Sequence, residues 1–301
     1  MQNLKNNSNE SIFKKYIMVI ACIFWAGAFI AGKFSVKEFP VFSLTFFRFF
    51  FAVILMIPIL KIKNENFKID KNDFFTFLKL GIIGMVGYHI LFFMALKFTS
   101  SGNSSLIAAT NPIITTILAY IFLKEKISIK NTISICISFF GVLIIITNGD
   151  INFITNMHFN KGDIIMVFAV FCWASYSIIS KNILKKYSPL KVTFYAFLFC
   201  TLFLIPFVIY ENPMSYIPNT SLKGWLAVLY MSIFASLIGY LIQQISIKNI
   251  GPSKTNLYIN LVPMFSMIFA YFILGEPITK IKLIAGLFIV TGVYSNMKFK
   301  S

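Results

Sequence analysis

The chain has 301 residues, 58% of them hydrophobic and only 12% charged, with a formal net charge of +17. Soluble domains carry about twice that charged fraction. The apolar residues come in runs of about 20, the length that spans a bilayer core, which excludes a soluble globular fold. The positive balance does not point to nucleic acid, because the lysines lie between the apolar runs, where they orient a membrane protein.

Residues 1–14 are polar and are expected to form a disordered tail. The first apolar run, about Tyr16 to Val36, is too long for a signal-peptide core and lacks a cleavage site. From there the pattern predicts an all-α membrane protein with ten transmembrane helices, over about 15–36, 40–61, 73–97, 101–123, 129–147, 162–184, 189–210, 222–248, 252–274 and 280–297. The two longest connections, 61–73 and 148–161, are polar. The second carries the turn residues Asn148-Gly149-Asp150 and links a first half, 15–147, to a second, 162–297. Placing the N-terminus in the cytoplasm puts eighteen lysines on the cytoplasmic side and seven on the other. That positive-inside bias predicts cytoplasmic N- and C-termini. Cys22, Cys136, Cys172 and Cys200 all lie inside apolar runs and read as small buried hydrophobes.

The two halves repeat. Trp25 to Lys33, WAGAFIAGK, matches Trp173 to Lys181, WASYSIISK, at an offset of 148, and Thr45 and Pro58 fall on Thr193 and Pro206. Later helices match at 151: Lys97 on Lys248, Pro112 on Pro263, Ala119-Tyr120 on Ala270-Tyr271, Glu125 on Glu276 and Gly141 on Gly292. Five helices per half is an odd number, so the second half enters the membrane from the other side and the two five-helix repeats are inverted. Proline inside a membrane helix removes a backbone hydrogen bond. Two such breaks at matched positions point to a transport site at the repeat interface.

These segments resemble the EamA-type transporters of the drug/metabolite transporter superfamily. The residues that carry the resemblance are WAGAFIAGK, Arg48-Phe49, the stretch Ala95 to Ser128, Gly162-Asp163 and the FAYFILGEPIT that closes the second copy. The resemblance covers nearly the whole chain. It implies a ten-helix exporter of the bacterial inner membrane, in a family that handles amino acids, amines, nucleotide-type metabolites and drugs. The expected partners are a small-molecule substrate and the lipid bilayer, with monomer and homodimer both open. No cofactor or metal is expected.

All ten acidic residues fall in loops or at helix ends, so a mid-membrane carboxylate for proton or cation coupling has no candidate. Arg48 is the opposite case, about eight residues into the second helix and roughly 12 Å deep. An intramembrane cation defaults to a functional reading, and this one is suited to a substrate carboxylate. The competing reading gives it a structural partner. His89 is read either as a packing histidine or as a substrate or proton site, and Gly81, Gly84 and Gly87 on its helix as points of close packing. Asn111 and Pro112 sit near mid-depth in the fourth helix, where Ser104, Ala108, Asn111 and Thr115 share one face; Asn256, Asn260 and Pro263 form the matching face of the ninth. Cavity lining and interhelical hydrogen bonding use the same residue types there. Trp25, Trp173 and Tyr176 offer ring faces for an aromatic substrate or a quaternary amine, or serve as packing. Gln243 and its neighbour Gln244 are further lining candidates. Lys33, Lys79 and Lys181 are placed to snorkel, and Glu125 and Glu276 to pair structurally against the helix dipole.

The expected function is a secondary transporter exporting amino acids or related carboxylate-bearing compounds by alternating access. An alternative is a carrier of quaternary or aromatic amines, working by uptake. A third is an integral-membrane enzyme or sensor. No nucleophile–base set, metal-ligand spacing or phosphate loop supports it, and no enzyme is expected.

Overall fold

A computed structural model describes residues 16–99, 101–150, 152, 160–275 and 277–298. The expected tail 1–14, most of the linker and Glu276 lie outside the described residues. Among those described, all regular structure is helical. In chain order the helices are α1 (Met18–Ser35), α2 (Val41–Ile62), α3 (Lys71–Ala95), α4 (Leu106–Leu123), α5 (Ile129–Thr147), α6 (Lys161–Ile183), α7 (Pro189–Tyr210), α8 (Leu222–Ile250), α9 (Pro252–Ile273) and α10 (Lys280–Lys298). Eight of these, α2 to α9, are long and apolar enough to cross a bilayer. The apolar part of α1 is shorter, and α10 carries Lys280, Lys282 and Lys298 at its two ends.

Local chemistry explains where the helices start. At α6, the Asn160 side chain accepts from the amides of Gly162 and Asp163, and Asp163 Oδ2 accepts from the Asn160 amide at 2.9 Å. This reciprocal cap satisfies orphan donors of the first turn. Thr99 donates to the same carboxylate at 2.5 Å, which ties the chain after α3 to the start of α6. The start of α2 is capped from a distance: Glu211, just after α7, accepts from the amides of Phe42 (3.1 Å) and Ser43 (2.7 Å) and from the Ser43 hydroxyl (2.6 Å). A carboxylate at that end also complements the helix dipole.

Exchanging each helix with the one five places along maps the packing onto itself. The pairs α2–α7, α4–α9 and α5–α10 map onto themselves. The contact of α3 with α6 becomes that of α8 with α1, and α4 with α6 becomes α9 with α1. The repeats therefore interlock, each contributing its third and fourth helices to the first helix of the other. Matched glycines set the closest approach: a Cβ on Gly141 would sit 2.7 Å from the Ala285 carbonyl oxygen, and one on Gly292 2.6 Å from that of Ser134. Gly84 plays the same part between α3 and α6, where a Cβ would lie 2.4 Å from the Tyr176 ring.

The helices are not regular where the repeats meet. Leu80–Gly87 in α3 and Met231–Ile238 in α8 are both π-helical, and they coincide at the offset of 151. At the start of α4, a helical segment running from Ser101 to Ala108 stops and a second restarts at Asn111. In α9, the segment Pro252–Leu257 gives way to a 3-10 turn at Tyr258–Asn260 before Leu261. Each break sits about one turn ahead of its proline, Pro112 or Pro263, whose missing N–H frees the carbonyl four residues back.

The turn between α6 and α7 holds the start of α3. Lys186 Nζ donates to Asp70 at 2.9 Å and to Asp73 at 2.6 Å, and the Tyr187 hydroxyl donates to Asp73 at 2.8 Å. At the other end of α2, the turn between α1 and α2 holds the start of α8: Glu38 accepts from the Ser221 amide and hydroxyl, each at 2.7 Å. Lys186 falls on Glu38 at the offset of 148, and Ser221 on Asp70 at 151. The two clasps occupy equivalent positions in the repeats: an acid accepts at one, where a lysine donates at the other.

Candidate functional site

The π-helical stretches converge on Arg48. Its Nε donates to Ser236 Oγ at 2.7 Å, from within the α8 stretch. Its Nη1 lies 3.4 Å from His89 Nε2. His89 Nδ1 is 2.8 Å from the Met85 carbonyl oxygen, which belongs to the α3 stretch. A carbonyl can only accept, so Nδ1 carries the proton and Nε2 is left as the acceptor facing Arg48, which is the neutral tautomer. Met85 and Ser236 are repeat equivalents, so both π-helical stretches act on Arg48, one directly and one through the imidazole. Among the described residues no carboxylate pairs with the guanidinium. Arg48 is only partly buried, while Phe49 beside it is fully buried. With five donors on the group, two engaged by neutral partners leave capacity for an anion.

An aromatic cluster adjoins the cation. The Trp25 and Trp173 rings are 5.8 Å apart and edge-to-face. Tyr240 packs on both, at 5.8 and 5.6 Å, and Tyr88 lies 4.6 Å from Trp173. Phe49 bridges to the cation side, 5.1 Å from His89 and 6.3 Å from Tyr240. Both indoles are tethered by their N–H. Trp25 donates to the Ala235 carbonyl at 2.9 Å, in the π-helical stretch of α8. Trp173 donates to Asn256 Oδ1 at 2.9 Å, and Asn256 Nδ2 donates to Ser177 at 2.9 Å.

Of the residues singled out from sequence, Trp25, Arg48, His89, Trp173 and Tyr176 come together, and Asn256 joins them through the Trp173 indole. Tyr176 reaches the cluster through Tyr240, at 6.2 Å, and its hydroxyl accepts from Gln244 at 2.5 Å. Asn111 and Thr115 are buried and bonded to each other at 3.1 Å. Asn260 donates to Ser138 on α5 at 3.1 Å, an interhelical bond of the packing kind. Pro112 is buried and Pro263 partly so, each at its helix break. Gln243 is fully buried. Glu125 accepts from Ser253 at 2.8 Å at the start of α9. Lys181 donates to the carbonyls of Ile247 (3.1 Å) and Lys248 (3.0 Å) near the end of α8. Sequence reasoning passed over Tyr88, Ser236 and Tyr240. A signal for the last was available, since Tyr240 is the repeat equivalent of His89.

Among the described residues, eight apolar spans surround a cation without a carboxylate partner and an aromatic cluster, which define a multi-pass membrane protein with a polar centre. The chain belongs to the EamA-like transporter family, whose model matches residues 14–147 and 160–297, one match to each half. Over 281 residues it is 35% identical to the uncharacterized transporter YyaM of Bacillus subtilis, covering 92% of each chain. It is 29% identical to an uncharacterized transporter of Archaeoglobus fulgidus, covering 92% of this chain and 95% of that one. A crystal structure shares the fold, with a TM-score of 0.77 over 95% of this chain and 98% of that one, at 17% sequence identity.

Proposed function

We propose that this transporter is a secondary carrier of small carboxylate-bearing metabolites, amino acids or their relatives, working outward across a bacterial inner membrane by alternating access. Ten crossings in two inverted five-helix repeats complete the reading. The short apolar α1 packs along α8 and α9, and α10 along α5, which supports counting both as spans. Both termini are then cytoplasmic.

The observation that carries the substrate class is Arg48, an intramembrane cation with neutral neighbours and no described carboxylate partner. Such a charge is costly without an anion, and a guanidinium receives a carboxylate in a two-pronged geometry. The test is counterflow of labelled amino acids and simple carboxylic acids in proteoliposomes. Arg48→Ala is expected to abolish it while expression and insertion stay near wild type. Unchanged flux in that variant would reject the role.

A second reading draws on the aromatic cluster, which offers ring faces to a quaternary or aromatic amine. Competition separates the two. Carboxylates blocking flux where choline does not favours the first; the reverse favours the second.

A further inference from the structure

We infer that Gln243 is the second polar contact of the substrate site, and that the substrate therefore carries a hydrogen-bonding head, an α-amino or α-hydroxyl group, beside its carboxylate. The inference rests on the reading of Arg48 as the carboxylate holder.

Gln243 has no accessible surface, and neither its amide nitrogen nor its amide oxygen has a hydrogen-bond partner among the described residues. Exchanging the two amide atoms changes nothing, because in either orientation one donor group and one acceptor stand unpaired. Its neighbour Gln244 behaves differently, since its nitrogen donates to the Tyr176 hydroxyl at 2.5 Å and to Ser180 at 3.0 Å. That anchors Gln244 to α6. The Gln244 oxygen is also unpartnered among the described residues, so the two adjacent glutamines differ in degree: one is anchored through its nitrogen, and the other is unmet at both amide atoms. Buried amides are bonded as a rule, and an unmet one in a membrane core calls for a partner from outside the chain.

The position of Gln243 says which partner. Tyr240 and Gln243 stand at i and i+3 on one stripe of the α-helical part of α8, and Ser236 lies four residues before Tyr240 in the π-helical stretch. Ser236 receives Arg48, and Tyr240 packs on both tryptophans. Gln243 is the next residue on that stripe. Seven residues separate it from Ser236, about 10 Å of helix. Helical side chains lean toward the helix N-terminus, which aims a long side chain at position 243 toward the turn of Tyr240, and the remaining gap to Ser236 suits a small two-headed acid. An ammonium there would meet an amide oxygen and ring faces, with its charge balanced by its own carboxylate on Arg48.

The repeat supplies an independent argument. Positions that the interlocked packing requires tend to recur in both halves, as Gly141 and Gly292 do. Arg48 falls on Ala196 and Gln243 on Phe92. Both polar groups break the repeat, and they do so on the facing helices α2 and α8, where a substrate without two-fold symmetry would need unlike ends.

The test uses the full-length chain purified in detergent and binding read from thermal shifts. The probes are matched series of L-α-amino acids, α-hydroxy acids and plain carboxylic acids with methyl, isobutyl and benzyl side chains. In the wild type, at least one two-headed acid is expected to bind about ten-fold or more tightly than its plain counterpart. In Gln243→Met and Gln243→Ala that preference falls to about unity, while the plain acid binds as before and the fold is as stable or more so. A preference that survives both variants, or a wild type that does not distinguish two-headed from plain acids, overturns the role of Gln243 and leaves that of Arg48 standing. Failure of every acid to bind, or binding that persists in Arg48→Ala, overturns the Arg48 reading and this one with it.

Discussion

Arg48, Ser236 and His89 are held by contacts that can be removed one at a time. Ser236→Ala deletes a charge-assisted hydrogen bond worth about 1.5–3 kcal/mol. Transport in that variant should weaken by roughly ten-fold or more, read as a rise in KM. Gly84 tests packing and not chemistry. Gly84→Ala drives a methyl to 2.4 Å from the buried Tyr176 ring. Such overpacking costs typically about 1–3 kcal/mol, so thermal unfolding in detergent should occur at lower temperature. A midpoint equal to wild type would show that the ring has room to give. Arg48 was legible from sequence as a charge in an apolar run, and the glycines as sites of close approach. Its hold on Ser236 was not, because 188 residues separate the pair and a lone serine in an apolar helix carries no distinguishing pattern.

Two kinds of irregularity mark the helices, and only one is written in residue types. The breaks in α4 and α9 follow from Pro112 and Pro263 by the loss of an amide donor. The π-helical stretches of α3 and α8 have no such marker. Leu80–Gly87 contains three glycines, whereas Met231–Ile238 contains none, yet both adopt the wider turn at one register, packed across the repeat interface. Tertiary contact decides them, and both supply groups to the Arg48 neighbourhood, as expected of π-helical turns near functional sites.

The clasp at the start of α3 has a pH signature. Asp70 sits below the usual carboxylate range, chiefly because it accepts a hydrogen bond from Lys186, and Lys186 in turn is held above its usual value. A depressed acid stabilises above its unfolded pKa, about 3.9, and a raised lysine below its own, about 10.4. The contribution is therefore full between about pH 5 and 9. It fades as pH falls through the lowered carboxylate value, and again as pH rises through that of the lysine. The difference in unfolding temperature between wild type and Lys186→Ala should be small, constant across that window and vanishing in acid. A difference that persists in acid would mean that the lysine acts through packing.

At the scale of the molecule, large apolar side chains face outward along the spans, among them Phe168, Leu202, Phe272 and Leu287, each at least half exposed. Buried hydrogen-bonded pairs such as Trp173–Asn256 and Asn260–Ser138 face inward. This is the inverse of a soluble protein and fits a bundle solvated by lipid. Tags at the two chain ends should become reactive from the same, cytoplasmic face. Opposite faces would contradict an inverted ten-span arrangement.

The sequence by itself determined the membrane class, the spans α2 to α9, the two-fold repetition and the isolated cation. Each is a property of composition or spacing along the chain, which hydrophobicity and charge impose without reference to distant residues. Only the tertiary structure decided that α3 and α8 widen into π-helical turns at one register, that Trp25, Trp173, Tyr88 and Tyr240 form one cluster, and that Gln243 is unmet at both amide atoms while Gln244 is bonded through its nitrogen. Those outcomes depend on which helix faces which across the interlocked repeats, and linear order does not encode that neighbourhood.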